Sequence, residues 1–295
     1  MIRLSKHGAD TNGFVLIAVL TVLTLLSAMV VVMLGMSRDS IDIAALSGIE
    51  TKRQAMVQSG LSLAAYELFQ LGLPPERVSG GQFRLNDGMI AFTVSTDTAK
   101  ADLNASGKDL LAAAYMAAGL TTLSPQEFAA RVIDWRDEND DISAGGAEGQ
   151  DYVKLDYLPR NGRFRSVDDL RWVIGLFPED IKALRRFVTV YNPRGRLNVF
   201  AAPASMIAAL PKVAPETVDE VLQARSTRSA TATDTLDDLL LVQAALIDAA
   251  PASTYRIGME LLSNGEVNPR RTEAVIAAGT SPEIPFLVLY RSGVE

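Results

Sequence analysis

The run FVLIAVLTVLTLLSAMVVVMLGM, Phe14 to Met36, holds 23 residues without a charge, and the next charged residue is Arg38. At roughly 1.5 Å per residue a helix of this length reaches about 35 Å, enough to cross the hydrocarbon core of a bilayer. Arg3 and Lys6 precede it. That charge asymmetry predicts an N-terminus kept in the cytoplasm and the bulk of the chain on the far side. A cleaved secretory signal has a shorter apolar region closed by a small-residue site. Here such a site would fall near Ser27 or Gly35, inside the run. The apolar helix is therefore read as retained, either behind a short polar leader cut at Gly13-Phe14 or as a plain single-span anchor.

Helical spacing continues beyond the run, through Leu46, Ile49, Met56, Val57, Leu61, Ala64 and Leu68. No proline occurs before Pro74-Pro75. One helix over residues 14–71, half in lipid and half in water, is predicted. A β signal follows, in which Phe83, Leu85, Ile90, Phe92 and Val94 alternate with polar residues around a turn at Asp87-Gly88. It returns only near the C-terminus. There Tyr255, Ile257, Met259 and Leu261 alternate with polar residues, Asn264-Gly265 marks a turn, and PFLVLY (Pro285–Tyr290) reads as a last strand. Strands at both ends of the soluble part imply a segment inserted into the sheet. That segment, 103–250, reads as helical. Ser124-Pro125 with Glu127 is a helix start. The polar stretch Ser226–Asp234 reads as a connection, with Asp234 capping a helix that runs to Leu246.

The chain has 295 residues and 31.7 kDa, with 28 basic and 35 acidic residues, net charge −7 and a pI near 5.0. An acidic surface opposes nucleic-acid binding. There is no cysteine, and the single histidine is His7. Disulfides, thiol nucleophiles, Ser-His-Asp chemistry and ordinary zinc sites are thereby excluded once the leader is removed. No Gly-x-Ser-x-Gly, Walker loop or dinucleotide fingerprint occurs, and the carboxylate pairs Asp168/Asp169 and Asp237/Asp238 sit at helix starts. No enzyme activity is expected.

The segment DWRDENDDISAGGAEGQDY (134–152) packs seven carboxylates into nineteen residues. Such density needs solvent or a bridging cation. Asp137, Asn139, Asp141 and Glu148 fall at positions 1, 3, 5 and 12 of an EF-hand-like count, a hard-oxygen set suited to calcium. Ile142 stands at position 6, where a standard loop needs glycine. A solvated acidic loop and a calcium site are both open on this count. Two further segments, 166–188 and 197–225, look like helix-hairpin-helix units. The hairpin positions of such units are glycines, but here they are Gly175 and Phe177 in the first and Lys212 and Ala214 in the second. Side chains there block close approach to a phosphate, so a protein-packing module is expected. Arg185, Arg186, Arg194 and Arg196 form a basic patch, read as a solvated face or a partner for the acidic loop.

The junction Gly13-Phe14 resembles the leader of type IV pilins and pseudopilins. That resemblance implies cleavage after Gly13 by a prepilin peptidase and N-methylation of Phe14. The loss of Arg3, Lys6 and Asp10 would leave 26 basic and 34 acidic residues. Most pseudopilins carry glutamate at the fifth mature position, and here it is Ala18. Together with Asp134-Trp135, Gly146-Ala147-Glu148 and the hairpin segments around Asn198-Val199, the chain resembles the K-type minor pseudopilins of the type II secretion system (general secretion pathway protein K). The resemblance implies an α+β, pilin-like fold: a long N-terminal helix on a small antiparallel sheet, with a large inserted α-helical domain containing two helix-hairpin-helix-like (SAM-like) units. It divides the chain into a leader (1–13), a transmembrane segment (14–37), stalk and first strands (38–102), insertion (103–250) and closing strands (251–295). It also implies bound calcium, with metal ligands Asp137, Asn139, Asp141 and Glu148, although aspartates usual in the family are missing at Asn139 and Gly149. Implied partners are the I- and J-type minor pseudopilins, the prepilin peptidase and the inner membrane, with no nucleic acid. The implied place is the inner membrane of a Gram-negative bacterium, single-pass, with a periplasmic C-terminal domain. The implied task is to initiate or cap assembly at the pseudopilus tip for export across the outer membrane. The rival readings are a type IV pilus minor pilin and a single-span periplasmic adaptor.

Overall fold

The computed structural model describes residues 11–85, 88–227, 243–263, 267–281 and 283–293. Asp87 of the turn expected at Asp87-Gly88, the turn at Asn264-Gly265, the leader up to Asp10, and the helix expected after Asp234 as far as residue 242 lie outside the described residues; Gly88 opens a strand, and Gln243–Leu246, expected as the end of that helix, is a turn. The chain divides into two compact units, one running to Ser59 and one beginning at Gly60.

The first unit is carried by helix α1 (Thr11–Ala65). Within it, Phe14–Met33 is long and apolar enough to cross a membrane, and none of it is buried. Its two threonine hydroxyls are satisfied inside the helix: Thr21 Oγ1 donates to the Ile17 carbonyl at 2.7 Å and Thr24 Oγ1 to the Thr21 carbonyl at 2.8 Å. That removes the cost of exposing them to hydrocarbon.

Past Ala65 the helix widens into a π turn, Tyr66–Gln70. Gly72 then takes a left-handed φ of 62°, and the Leu73 N–H reaches back to the Glu67 carbonyl at 3.0 Å. Pro74 has no N–H to continue the ladder, and the next turn, α2 (Pro75–Val78), starts with proline at its favoured first position. Strands β1 (Gln82–Leu85) and β2 (Gly88–Thr96) form the first hairpin. The chain then leaves the sheet through β3 (Ala101–Asp102), α3 (Lys108–Ala117), α4 (Pro125–Arg136), α5 (Gly149–Tyr152) and α6 (Pro178–Leu184). It continues through β4 (Val188–Thr189), β5 (Leu197–Asn198), α7 (Ala204–Ala208), α8 (Pro215–Thr227) and β6 (Ile247–Asp248). It re-enters the sheet as β7 (Thr254–Ser263), β8 (Arg270–Ser281) and β9 (Ile284–Arg291).

The sheet order is β1-β2-β7-β8-β9, antiparallel throughout. Ile90 and Phe92 on β2 and Ile257, Met259 and Leu261 on β7 are buried, together with Leu61, Ala64 and Leu68 from the helix. Gly60 sits where the helix comes closest to the strands: a Cβ there would meet Ile90 at 3.1 Å and Phe92 and Met259 at 3.3 Å. Strand β8 was not expected from the sequence. Its stretch RRTEAVIAAGTS is rich in alanine and poor in alternation, and it becomes a strand because β7 and β9 pair with it on both flanks.

The inserted region has its own core. Tyr115 of α3 stacks on Phe128 of α4, ring centroids 4.8 Å apart, and both are fully buried. The Ser124–Glu127 capping box starts α4 as the sequence predicts. Two short parallel pairs, β3 with β4 and β5 with β6, draw distant parts of the region together. Buried Asp102 holds the first of them: its carboxylate accepts from Asn104 N at 2.7 Å, Ala105 N at 3.0 Å and Asn192 N at 2.7 Å. The two hairpin segments turn through left-handed residues, Gly175 at φ 85° and Lys212 at φ 60°. The leading helix of the first segment is a 3-10 stretch (Val167–Trp172), and that of the second is the five-residue α7. The geometry therefore does not establish a pair of helix-hairpin-helix units.

The close approach at Gly60 sets a steric test. Gly60→Leu is expected to lower stability by about 1–3 kcal/mol through overpacking against β2 and β7. Thermal unfolding of the soluble part checks it; a midpoint equal to the wild type would mean that helix and sheet can separate at no cost.

Candidate functional site

The acidic loop is folded by one carboxylate. Asp134, on the inner face of α4, is fully buried, and its Oδ2 accepts from Ser143 N at 3.2 Å and Ala147 N at 3.0 Å. This pulls residues 137–147 back over the end of the helix. Gly146 is required there, because a Cβ would run into Asp134 Oδ2. Gly145 supplies the positive φ, 84°, that turns the loop. The sequence pairing of Asp134-Trp135 with Gly146-Ala147-Glu148 thus has a direct structural cause.

Glu148 follows, 2 % exposed, at the start of α5. Its N–H donates to Asp151 Oδ2 at 3.0 Å; among the described residues neither of its carboxylate oxygens has a well-formed hydrogen bond, and the N–H groups at the start of α5 give it only partial relief. Asp134 Oδ1 and Asp137 Oδ1 are likewise buried and unpartnered. Burial, and then the charges of Asp134, Asp137 and Asp140, push the Glu148 carboxyl up to about 7. Four buried carboxylate oxygens left without good partners in one loop region are a costly arrangement for a protein alone. A hard divalent cation would satisfy oxygen donors of this kind. Among the described residues no three carboxylate or histidine side chains converge as a finished metal site. A cation would have to draw the carboxylates inward.

Of the four residues expected as ligands, Asp137 and Glu148 belong to this buried group. Asn139 and Asp141 lie on the exposed rim, where Asn139 Oδ1 accepts from Asp141 N at 2.7 Å. Asp134 and Asp140 were not among the expected ligands, yet their charges reach Glu148. Asp134 carries the strongest missed signal: an aspartate on the apolar face of an amphipathic helix is expected to have a buried task. The basic patch does not serve the loop. Arg185 pairs with Asp168, Arg196 lies 3.6 Å from Asp248, Arg194 donates to the Pro251 carbonyl at 3.1 Å, and Arg186 lies over Phe187. At the other functional position, Phe14 is exposed near the start of α1, and Ala18 presents no carboxylate on the helix surface.

Residues 85–193 match the family model described as type II secretion system (T2SS), protein K. Among solved structures, a chain of the GspK-GspI-GspJ complex from the enterotoxigenic Escherichia coli type 2 secretion system is similar in fold, with a TM-score of 0.55 and 17 % identity. The similarity covers 83 % of this chain and 99 % of that chain. No curated protein sequence matches the chain.

The buried glutamate sets a pH dependence. Between the ordinary glutamate value of 4.5 and about 7, the folded metal-free chain keeps a proton that the unfolded chain has lost. Stability therefore falls as pH rises through that window. In chelator, the thermal midpoint is expected to drop from pH 5 to pH 8 in the wild type and to stay level in Glu148→Gln. A wild-type midpoint that rises over the same range would contradict the buried, uncompensated carboxylate.

Proposed function

We propose a function on the premise that this chain is a protein K-type minor pseudopilin of the type II secretion system, the family that its residues 85–193 match: it stands at the tip of the pseudopilus and starts or caps the filament. One observation carries this reading. The helical region leaves the sheet after β2 and returns at β7, and these are neighbouring strands. A bulk of that size, growing from between two adjacent strands, hinders the stacking of a like subunit over it. Ala18 supports the same place, because it offers no buried carboxylate to a subunit above.

The steps of this function follow from the chain's own parts. A prepilin peptidase removes the leader after Gly13, and methylation turns the new amine of Phe14 into a secondary amine that keeps its charge. The apolar half of α1 holds the subunit in the inner membrane, with the remainder in the periplasm, until extraction exchanges lipid contacts for helix–helix contacts. The solved complex of similar fold contains GspI and GspJ, and we assign I- and J-type subunits as partners here. Calcium at the acidic loop would be held by Glu148 and Asp137, with Asp134 and Asp140 beside them, and would supply the positive charge that the orphaned oxygens lack. Asn139 and Asp141 would join only if the rim closes over the ion.

The decisive experiment is co-purification of the full chain with its I- and J-type partners from detergent. A stable ternary complex is expected at about micromolar concentration; separate elution of all three would overturn the assignment. For the metal, added calcium is expected to raise the thermal midpoint of the wild type and to leave Glu148→Gln nearly unmoved, because a ligand that binds only the folded state stabilises it. Equal shifts in both would exclude Glu148 as a ligand. Mass spectrometry of the mature N-terminus should find a methylated Phe14.

A further inference from the structure

A cleft of about 820 Å³ opens within the second unit. It is bounded by the end of the stalk, the outer end of β2 and the inserted region. Its walls include Phe69, Pro74, Phe200, Pro203 and Tyr255, an apolar part stiffened by proline, beside polar residues such as Ser95 and Asn198. Phe69 packs on Tyr255, ring centroids 5.4 Å apart, while Phe200 is half-exposed. The size lies in the range of ligand-binding sites.

Two features give the cleft a chemical preference. The first is an open strand edge. β1 pairs with β2 only from Gly88 to Ala91. On that flank Phe92 bonds to Gly80 and Gly81, and Val94 N takes Ser79 Oγ at 3.1 Å. Backbone groups on a strand point to the same flank at every second residue, so Val94 and Thr96 also face this way. No described strand pairs there, and Val94, Ser95 and Thr96 line the cleft. The second feature is charge. Lys100 and Arg186 line the same cleft, against a single anionic lining residue, Glu76, in a chain whose net charge is −7. Lys100 Nζ donates to the Arg185 carbonyl at 3.1 Å and lies 3.7 Å from Asp97 Oδ1. Asp97 is already held by Arg256 through bonds of 2.9 and 3.1 Å, so Lys100 shares its counter-ion. Burial holds the Lys100 ammonium below its ordinary range, a penalty that an added carboxylate would offset.

We propose that this cleft binds an extended polypeptide segment carrying a carboxylate beside apolar side chains. The segment bonds to the part of the β2 edge that Ser79 leaves open, the Val94 carbonyl and the Thr96 backbone; its carboxylate pairs with Lys100 and Arg186, and its apolar side chains rest on Phe69, Phe200 and Tyr255. Main-chain bonds give such binding its strength, and the side-chain contacts give its selectivity. The inference rests on the cleft alone and holds whether or not the chain caps a filament.

The test uses the full chain in detergent and two fluorescein-labelled peptides of alternating valine and serine, one with a central aspartate and one with a central lysine. Fluorescence anisotropy is expected to report binding of the aspartate peptide with a Kd of about 10–100 µM, and binding of the lysine peptide at least about tenfold weaker. Arg186→Ala removes an exposed cation and should weaken the aspartate peptide about fivefold. Ala201→Trp fills the cleft from an exposed position and should abolish binding. Both variants should keep the wild-type thermal midpoint. Equal affinity for the two peptides, or full binding by a folded Ala201→Trp chain, would overturn the proposal.

Discussion

The pairing of β2 with β7 is the constraint on which the second unit depends. Nine residue pairs, from Gly88–Ser263 to Thr96–Tyr255, hold together two strands separated by the whole inserted region. Closing so long a loop carries an entropy cost, though one that grows only slowly with length. Local interactions concentrate where the loop closes. Thr96 Oγ1 donates to the Thr254 carbonyl at 3.0 Å across a separation of 158 residues, and Thr254 Oγ1 in turn donates to the Tyr191 carbonyl at 2.9 Å. Fully buried Asp97 accepts two bonds from Arg256, which also pairs with Glu273 on β8. A charge buried to that degree is tolerable only with such a partner, so the ion pair also specifies which ends meet. The inserted region can grow because its exit and entry are fixed.

The acidic loop solves a different problem. Asp134 gives up part of its solvation to fold the loop, and the fold leaves Asp137 and Glu148 with buried oxygens that no described residue fully satisfies. Protein interiors rarely accept such groups without a reason. The loop therefore carries uncompensated carboxylate oxygens on its buried side, while its rim at Asn139 and Asp141 is exposed. The chain invests in burial at one side of the loop and in solubility at the other.

Much of this was legible in the residues. The absence of proline before Pro74 and the steady apolar spacing marked the long helix, and alternation marked β2 and β7, because both patterns are local and repeat with the period of the backbone. Ser124 and Glu127 announced the start of α4 for the same reason. Strand β8 was illegible, since alanine carries little strand preference and its pairing comes from neighbours on both flanks. The burial of the acidic loop was not legible: of the residues an EF-hand count picks out, Glu148 and one oxygen of Asp137 are buried while Asn139 and Asp141 lie on the exposed rim, because a count follows chain order while burial follows packing.

The residues alone settled which segments are apolar, where helices start and stop, which chemistries a chain without cysteine and with one histidine gives up, and that strands bracket a helical insertion. Those properties are set by each stretch and its immediate neighbours. Packing settled the rest: that β2 lies beside β7, that Glu148 is dry while Asp141 is wet, that Arg196 meets Asp248 rather than the acidic loop, and that the edge of β2 opens into a cleft. Each of these joins groups far apart in the chain, and only a folded backbone brings such groups within the few ångströms over which hydrogen bonds and desolvation act.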